Sequence, residues 1–216
     1  QGNHPKYLKV AACAKHFAVH SGPEAERHSF NAEVSPKDLR ETYLPAFEAC
    51  VKEANVESVM GAYNRVNGEP CCGSKTLLVD ILRGEWKFRG HVVSDCWAVQ
   101  DFHLHHKVTA TAPESAALAV KNGCDLNCGS TFGNLLIALK EGLITEEDID
   151  RSVTRLMITR MKLGMFDKEE HVPYAKIPYE VNDCKEHREL AREVAIRSMT
   201  LLKNDGILPL DLKKIK

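Results

Sequence analysis

The sequence predicts an α/β fold in which strands alternate with helices and pair into a parallel sheet. Three observations predict it. Four short apolar runs recur along the chain: KVAACAKHFAV from Lys9, ESVMGAYN from Glu57, HVVSDC from His91 and CDLNC from Cys124. Segments with helical periodicity lie between them. Each run is apolar almost throughout, as a strand covered on both faces is, and each ends in polar residues. Right-handed crossovers then bring all the polar ends to one face of the sheet, where ligand sites of parallel α/β folds lie. Four units are too few to close an eight-stranded barrel. The residues leave two architectures open: an open sheet, or a barrel whose first half lies N-terminal to this chain.

The elements follow in order. The first run ends in Lys15 and His16. The segment VSPKDLRETYLPAFEACVKEAN comes next, with Ser35 as N-cap, Pro36 at the first helical position and Asp38 in the first turn. Leu39, Tyr43, Phe47, Cys50, Val51 and Ala54 form its apolar stripe, and Pro45 kinks or splits it. The second run ends in Tyr63 and Asn64. A helix capped by Ser74 follows and carries Leu77, Leu78, Ile81 and Leu82. The third run ends in Ser94, Asp95 and Cys96; the helix after it, PESAALAVKNG, begins with Pro and stops at Gly123. After the fourth run, a short helix near NLLIALKEG ends at Gly142. Thr145 and Asp148 open a longer one that closes on Gly164. Residues 165–185, MFDKEEHVPYAKIPYEVNDCK, read as a linker, with two prolines and no period. The helix HRELAREVAIRSMT follows, and TLLKNDGILPL reads as a strand and a turn.

Composition narrows the function. The chain has 216 residues, 44% hydrophobic and 27% charged, with a formal net charge of −1. There is no basic stripe for a phosphate backbone, so nucleic acid is not an expected partner. No apolar run approaches the roughly 18–20 residues of a membrane span, so no membrane is expected either. The chain does not begin with Met and shows no signal-peptide pattern at its start. Its natural start is expected upstream, which leaves a secreted, periplasmic or cytoplasmic location open. The eight cysteines include no CxxC pair, which argues against a zinc knuckle or a redox motif.

The candidate chemistry lies at the strand ends. Taken alone, Asp95 is a turn or cap residue. At the end of a buried strand, two residues before Trp97, it suits a nucleophile or general base. Lys15 is costly at a buried strand end unless paired or used. With His16 it supplies donors for sugar hydroxyls or for a neighbouring carboxylate. Met60 and Tyr63 read as core and Asn64 as a turn residue. The DFHLHHK segment (His103, His105, His106) fits neither HExxH nor a facial triad. It is expected to be a solvated loop, with no metal.

Together these segments resemble the catalytic domain of glycoside hydrolase family 3. KHF at Lys15–Phe17, VMGAYNRVNG at Val59–Gly68, VVSD at Val92–Asp95 and NGCDLNCG at Asn122–Gly129 stand in the family's order and spacing. RLMITRMKLGMF and SMTLLKNDGILPL extend the likeness through the linker. The resemblance implies a partial (β/α)8 TIM-type barrel, its last four strand–helix units spanning residues 1–164. A linker over 165–185 and the start of a second, α/β sandwich domain over 186–216 would follow. It implies Asp95 as nucleophile of a retaining mechanism, Lys15 and His16 on sugar hydroxyls, Tyr63 beside the nucleophile, Met60 in the pocket wall and Trp97 at its mouth. Glu24 and Arg27, on the loop over the site, bind sugar or pair with each other. SDC with the later NCG resembles the β-xylosidase-like branch. There Cys96 and Cys128 would form a disulfide that fills the space of a hexose hydroxymethyl. The sequence after KHF departs from the N-acetylglucosaminidase motif.

The implied partner is an oligosaccharide or other glycoside, with xylose or glucose released from its non-reducing end and no cofactor needed. The acid/base Glu and the early strands are expected in missing parts of the parent chain, so these 216 residues alone are expected to be inactive. Two other readings stand beside this one: a non-catalytic carbohydrate-binding or structural remnant, and an unrelated metal-dependent α/β enzyme using DFHLHH.

Overall fold

The computed structural model describes residues 1–20 and 22–213. The chain divides into two compact units, Gln1–Val172 and Pro173–Lys216.

The first unit is mixed α/β. Its strands are β1 (Cys13–Phe17), β2 (Asn31–Ala32), β3 (Ser58–Gly61), β4 (Arg65–Val66), β5 (Glu69–Pro70) and β6 (His91–Ser94). β1, β3 and β6 form a parallel sheet in that order. Cys13 pairs with Ser58, Ser58 with His91, and Gly61 with Ser94. The register between β1 and β3 shifts between Ala14 and Phe17. β2, β4 and β5 make a small second sheet beyond the carboxyl ends of β1 and β3.

Two of the sequence expectations change here. β1 is not covered on both faces: Cys13 and Lys15 are exposed, and only Phe17 is fully buried. The fourth apolar run does not form a strand. It contributes a single parallel bridge, Val93 to Leu126. The ladder stops after this bridge because the Cys128 N–H, next in register, donates to Ser94 Oγ rather than to a backbone carbonyl of β6, while the Asp125 side chain turns inward. Its Oδ2 accepts from the Val92 N–H at 2.9 Å and from Arg83 at 2.7 Å, and its Oδ1 accepts from Arg155 at 2.8 Å. Burial pushes the Arg83 guanidinium down to about 10, against the pull of Asp125.

The helices follow the local chemistry. Ser35 accepts the Asp38 N–H at 3.0 Å. Pro45 splits the helix it interrupts: α-helical Pro36–Asp38 and π-helical Leu39–Tyr43 precede it, and Pro45–Lys52 begins at the proline itself. Ser74 caps the Lys75–Glu85 helix, which takes π-type turns. Thr111 and Thr145 form capping boxes with Glu114 and Asp148 at the heads of Ala112–Lys121 and Glu146–Lys162.

The core lies between the sheet and these helices. Phe17, Val59, Val92, Leu77, Leu78, Ile81, Leu82, Val99 and Phe102 are all buried in one cluster. Phe17 meets the edges of Phe47 and Trp86, with ring centroids 5.0 and 5.8 Å away. Each such side chain contributes about 2 kcal/mol of burial. That fixes the strands and hence the position of their polar ends.

In the second unit Lys185–Ser198 is helical, with short 3-10 turns before it at Pro173–Lys176 and Tyr179–Val181. TLLKNDGILPL, read as a strand from the sequence, forms none among the described residues. A strand needs a neighbour to hold its backbone hydrogen bonds, and the described residues of this unit offer no other strand.

Candidate active site

The parallel register brings the carboxyl ends of β1, β3 and β6 together. Asp95, the first residue past β6, is tied to β3 by its backbone N–H, which donates to the Gly61 carbonyl at 3.2 Å. Its side chain is mostly buried. Oδ1 accepts the Cys96 N–H at 2.8 Å. Oδ2 faces His16 Nε2 across 3.4 Å. Burial holds the His16 imidazole below its ordinary range; the Asp95 charge pulls it back up, while His20, Lys15 and Arg27 push it down.

Tyr63, two residues past β3, donates its hydroxyl to the Cys96 carbonyl at 2.6 Å. Burial first, then the Asp95 charge, raises its pKa above the ordinary phenol value, so it remains a donor at neutral pH. Cys96 and Cys128 are joined by a disulfide. Ser94 Oγ accepts from Asn127 Nδ2 at 3.1 Å and from the Cys128 N–H at 3.0 Å. The Trp97 N–H donates to the Cys128 carbonyl at 2.6 Å. Gly129 is required beside it: its φ is +137°, and a Cβ there would stand 3.1 Å from the Trp97 ring. Trp97 is half exposed and presents its indole outward.

The structure brings some of the sequence-expected residues to Asp95 and not others. His16, Tyr63, Cys96, Cys128 and Trp97 cluster there. Met60 is partly buried on β3, paired in register with Val93. Lys15 is exposed on β1, and among the described residues no hydrogen bond or ion pair joins it to Asp95. Glu24 and Arg27 pair with each other, Nε donating to Oε2 at 3.3 Å. The Arg27 guanidinium also sits 5.8 Å from the centroid of the Tyr63 ring, within cation–π range.

Other residues of this region were missed or read differently from the sequence. The His20 ring lies 4.9 Å from that of His16. Asn64, read as a turn residue, is buried and donates to the carbonyls of Ala18, Val19 and Arg65, which holds the His16–His20 segment against β3. His28 meets Tyr63 edge-on at 4.8 Å. The DFHLHHK segment is not the solvated loop expected. Asp101–Leu104 is helical, Asp101 and Phe102 are buried, and His106 is buried against Phe102. The apolar Phe102 draws the segment inward and takes its neighbours with it. Burial pushes the His106 imidazole down to about 4.

Comparison with known proteins fits this geometry. The glycosyl hydrolase family 3 N-terminal domain matches residues 1–159. A xylan 1,4-β-xylosidase of Xylanibacter ruminicola is 45% identical over 209 residues, covering 95% of this chain and 24% of that protein. A β-xylosidase/α-L-arabinofuranosidase of Medicago sativa subsp. varia is 42% identical, covering 97% and 28%. Among solved structures, an exo-β-xylosidase of the family bound to a xylobiose aziridine activity-based probe superposes with a TM-score of 0.88 at 32% identity, over 96% of this chain and 28% of that one. A Listeria innocua β-glucosidase in complex with glucose gives 0.79 at 31% identity, over 93% and 27%. The chain spans about a quarter of the length of these relatives. The match over residues 1–159, the shared fold and the strand-end cluster round Asp95 have one meaning: this chain belongs to glycosyl hydrolase family 3.

Proposed function

We propose that this chain carries the nucleophile side of a retaining β-glycosidase site that releases xylose from the non-reducing ends of β-linked oligosaccharides. The observation that carries the reading is Asp95 itself: a mostly buried carboxylate at a parallel strand end, with Oδ1 held by a backbone N–H and Oδ2 facing a histidine. In this reading residues 1–164 are the last four strand–helix units of a (β/α)8 barrel, the fourth strand reduced to the bridge at Leu126, 165–185 are the linker, and 186–216 begin a sandwich domain. Chemistry at the carboxyl ends of parallel strands is what a barrel requires.

The reaction runs in two displacements. Asp95 Oδ2 attacks the anomeric carbon as the glycosidic C–O bond breaks, and a general acid protonates the departing oxygen. Water, deprotonated by the same group, then attacks the glycosyl ester and frees Asp95. His16 and Lys15 donate to sugar hydroxyls. Tyr63 fixes the Cys96 carbonyl, and so the turn that carries the nucleophile. Met60 and Trp97 wall the pocket, and Arg27 with Glu24 border it. The acid/base is a Glu outside these 216 residues. The Cys96–Cys128 disulfide occupies the space a hexose hydroxymethyl needs, which favours a pentose.

The test is covalent trapping in the protein expressed from its complete coding sequence. A 2-deoxy-2-fluoro-β-xyloside with a good leaving group is expected to label the peptide containing Asp95, and to do so faster than its glucose counterpart. Label on another residue, or release of the inverted anomer from a natural substrate, defeats the mechanism. Faster labelling by the glucoside defeats the choice of sugar alone.

A further inference from the structure

Beyond the groups round Asp95, one cluster is arranged as a ligand set. The Asp101 side chain is wholly buried. Its Oδ2 lies 2.8 Å from Nδ1 of His28, and its Oδ1 lies 2.7 Å from Nδ1 of His105. One ligand atom from each of the three residues falls within 4.8 Å of the others. His105 stands one helical turn after Asp101, whereas His28 comes from the segment that follows the Glu24–Glu26 turn. The two rings are tilted at 43° with centroids 5.7 Å apart, so they converge on the carboxylate without stacking on each other.

A buried carboxylate calls for compensating charge. The two imidazoles donate hydrogen bonds to it; a divalent ion in place of those hydrogen bonds would supply both a bond to each ligand and the charge. Two imidazole nitrogens with one carboxylate form the donor set of zinc and similar borderline ions, whereas calcium and magnesium take oxygen. Tetrahedral zinc spaces its ligand atoms roughly 3.3 Å apart, so each ring has to withdraw by about half an ångström from its carboxylate oxygen while the two nitrogens, within 4.8 Å of one another, settle at that same spacing. Both rings are free to do so, since their side chains are 47% and 45% exposed, and the same exposure lets an ion enter and keep water in its remaining positions.

We propose that His28, Asp101 and His105 bind a zinc-class divalent ion at a site separate from the sugar site, with no step of hydrolysis routed through it. The ion clips the segment that carries Glu24 and Arg27 to the helix that follows Asp95. His28 packs on Tyr63, so the clip also steadies the ring beside the nucleophile.

The test is metal binding by the complete protein after chelator treatment and dialysis. Zinc is measured by equilibrium dialysis, and cobalt(II) by its visible absorption. Wild-type protein is expected to bind one more equivalent of zinc than the double variant His28→Ala/His105→Ala. Each single variant is expected to weaken that site at least tenfold. His171→Ala, away from the cluster, keeps it. The absorption is expected to have the intensity of four- or five-coordinate cobalt in wild type and to fall in the variants. Asp101→Asn removes the anionic ligand, but it is buried and risks misfolding; the two exposed histidines decide the matter without it. Equal stoichiometry and affinity in wild type and the double variant, with both folded by circular dichroism, overturn the proposal and leave the rings as hydrogen-bond donors to Asp101.

Discussion

At Asp95 the two carboxylate oxygens have different surroundings. Oδ1 is engaged by the Cys96 N–H, while Oδ2 stands 3.4 Å from His16, beyond a good hydrogen bond and open to an electrophile. In the proposed role, Asp95→Asn in the complete protein is expected to lower turnover of an aryl β-xyloside on the order of 10⁴-fold; a loss under tenfold would remove Asp95 from the chemistry. A second readout concerns charge alone. The His16 imidazole is held below its ordinary range by burial, and the Asp95 carboxylate opposes that shift by stabilising the cation. Asn carries no charge, so the His16 midpoint followed by NMR is expected to fall further in Asp95→Asn. An unchanged or higher midpoint would mean that the two side chains do not sense each other. The meeting of Asp95 and His16 was legible in the sequence because each sits at a strand end and parallel strands put such ends together, whereas Tyr63, read as core from the residues alone, was placed beside them only by the family resemblance. His28 was not legible, because its contact with Asp101 spans 73 residues and leaves no local pattern.

The elements that hold this site are tied together by two cross-links of different kinds. Beneath β6, Asp125 takes hydrogen bonds from Arg83, Arg155 and the Val92 N–H. Asp125→Ala leaves two largely buried guanidinium groups without their carboxylate. It is expected to destabilise the protein by about 3–5 kcal/mol in denaturant unfolding, and a change under 1 kcal/mol would show that water replaces the lost partner. Above β6, the Cys96–Cys128 bond closes a loop with a sequence separation of 32. Constraining a loop of that length in the unfolded chain is worth roughly 3–4 kcal/mol. The Cys96→Ala/Cys128→Ala variant is expected to lose that much stability. It is also expected to gain in the ratio of kcat/KM for an aryl glucoside over the matching xyloside, as the pocket wall recedes. Loss of stability with an unchanged ratio would make the bridge structural only. Helix boundaries were legible wherever a cap stands in the sequence, as at Ser35, Ser74 and Thr145. The fourth run was misread because apolar composition does not reveal that the Cys128 N–H goes to Ser94 Oγ, which ends the ladder after one bridge.

At the scale of the whole molecule, the alternation of strands and helices was legible and the closure of the fold was not. Sequence periodicity marked most helices and the three strands of the main sheet, while closure depends on partners a segment meets far along the chain. The same limit applies to the reaction. A retaining glycosidase needs two carboxylates about 5–5.5 Å apart, one to attack and one to exchange protons. Among the described residues, the groups in hydrogen-bond or ion-pair contact with the Asp95 carboxylate include His16 and the Cys96 N–H, and no second carboxylate. Of the acidic residues on adjoining segments, Glu24 is paired with Arg27 and Asp101 is held between His28 and His105. Both carboxylates are thus already engaged by other side chains. General acid–base assistance is worth roughly 10²–10⁴-fold, and most for leaving groups that need a proton. The 216-residue chain, shown to be folded by circular dichroism, is therefore expected not to hydrolyse xylobiose or cellobiose, whose sugar leaving groups need that proton, whereas protein from the complete coding sequence is expected to hydrolyse at least one of them. Comparable kcat/KM from the isolated chain would place both carboxylates within these residues and require a new assignment of the acid/base.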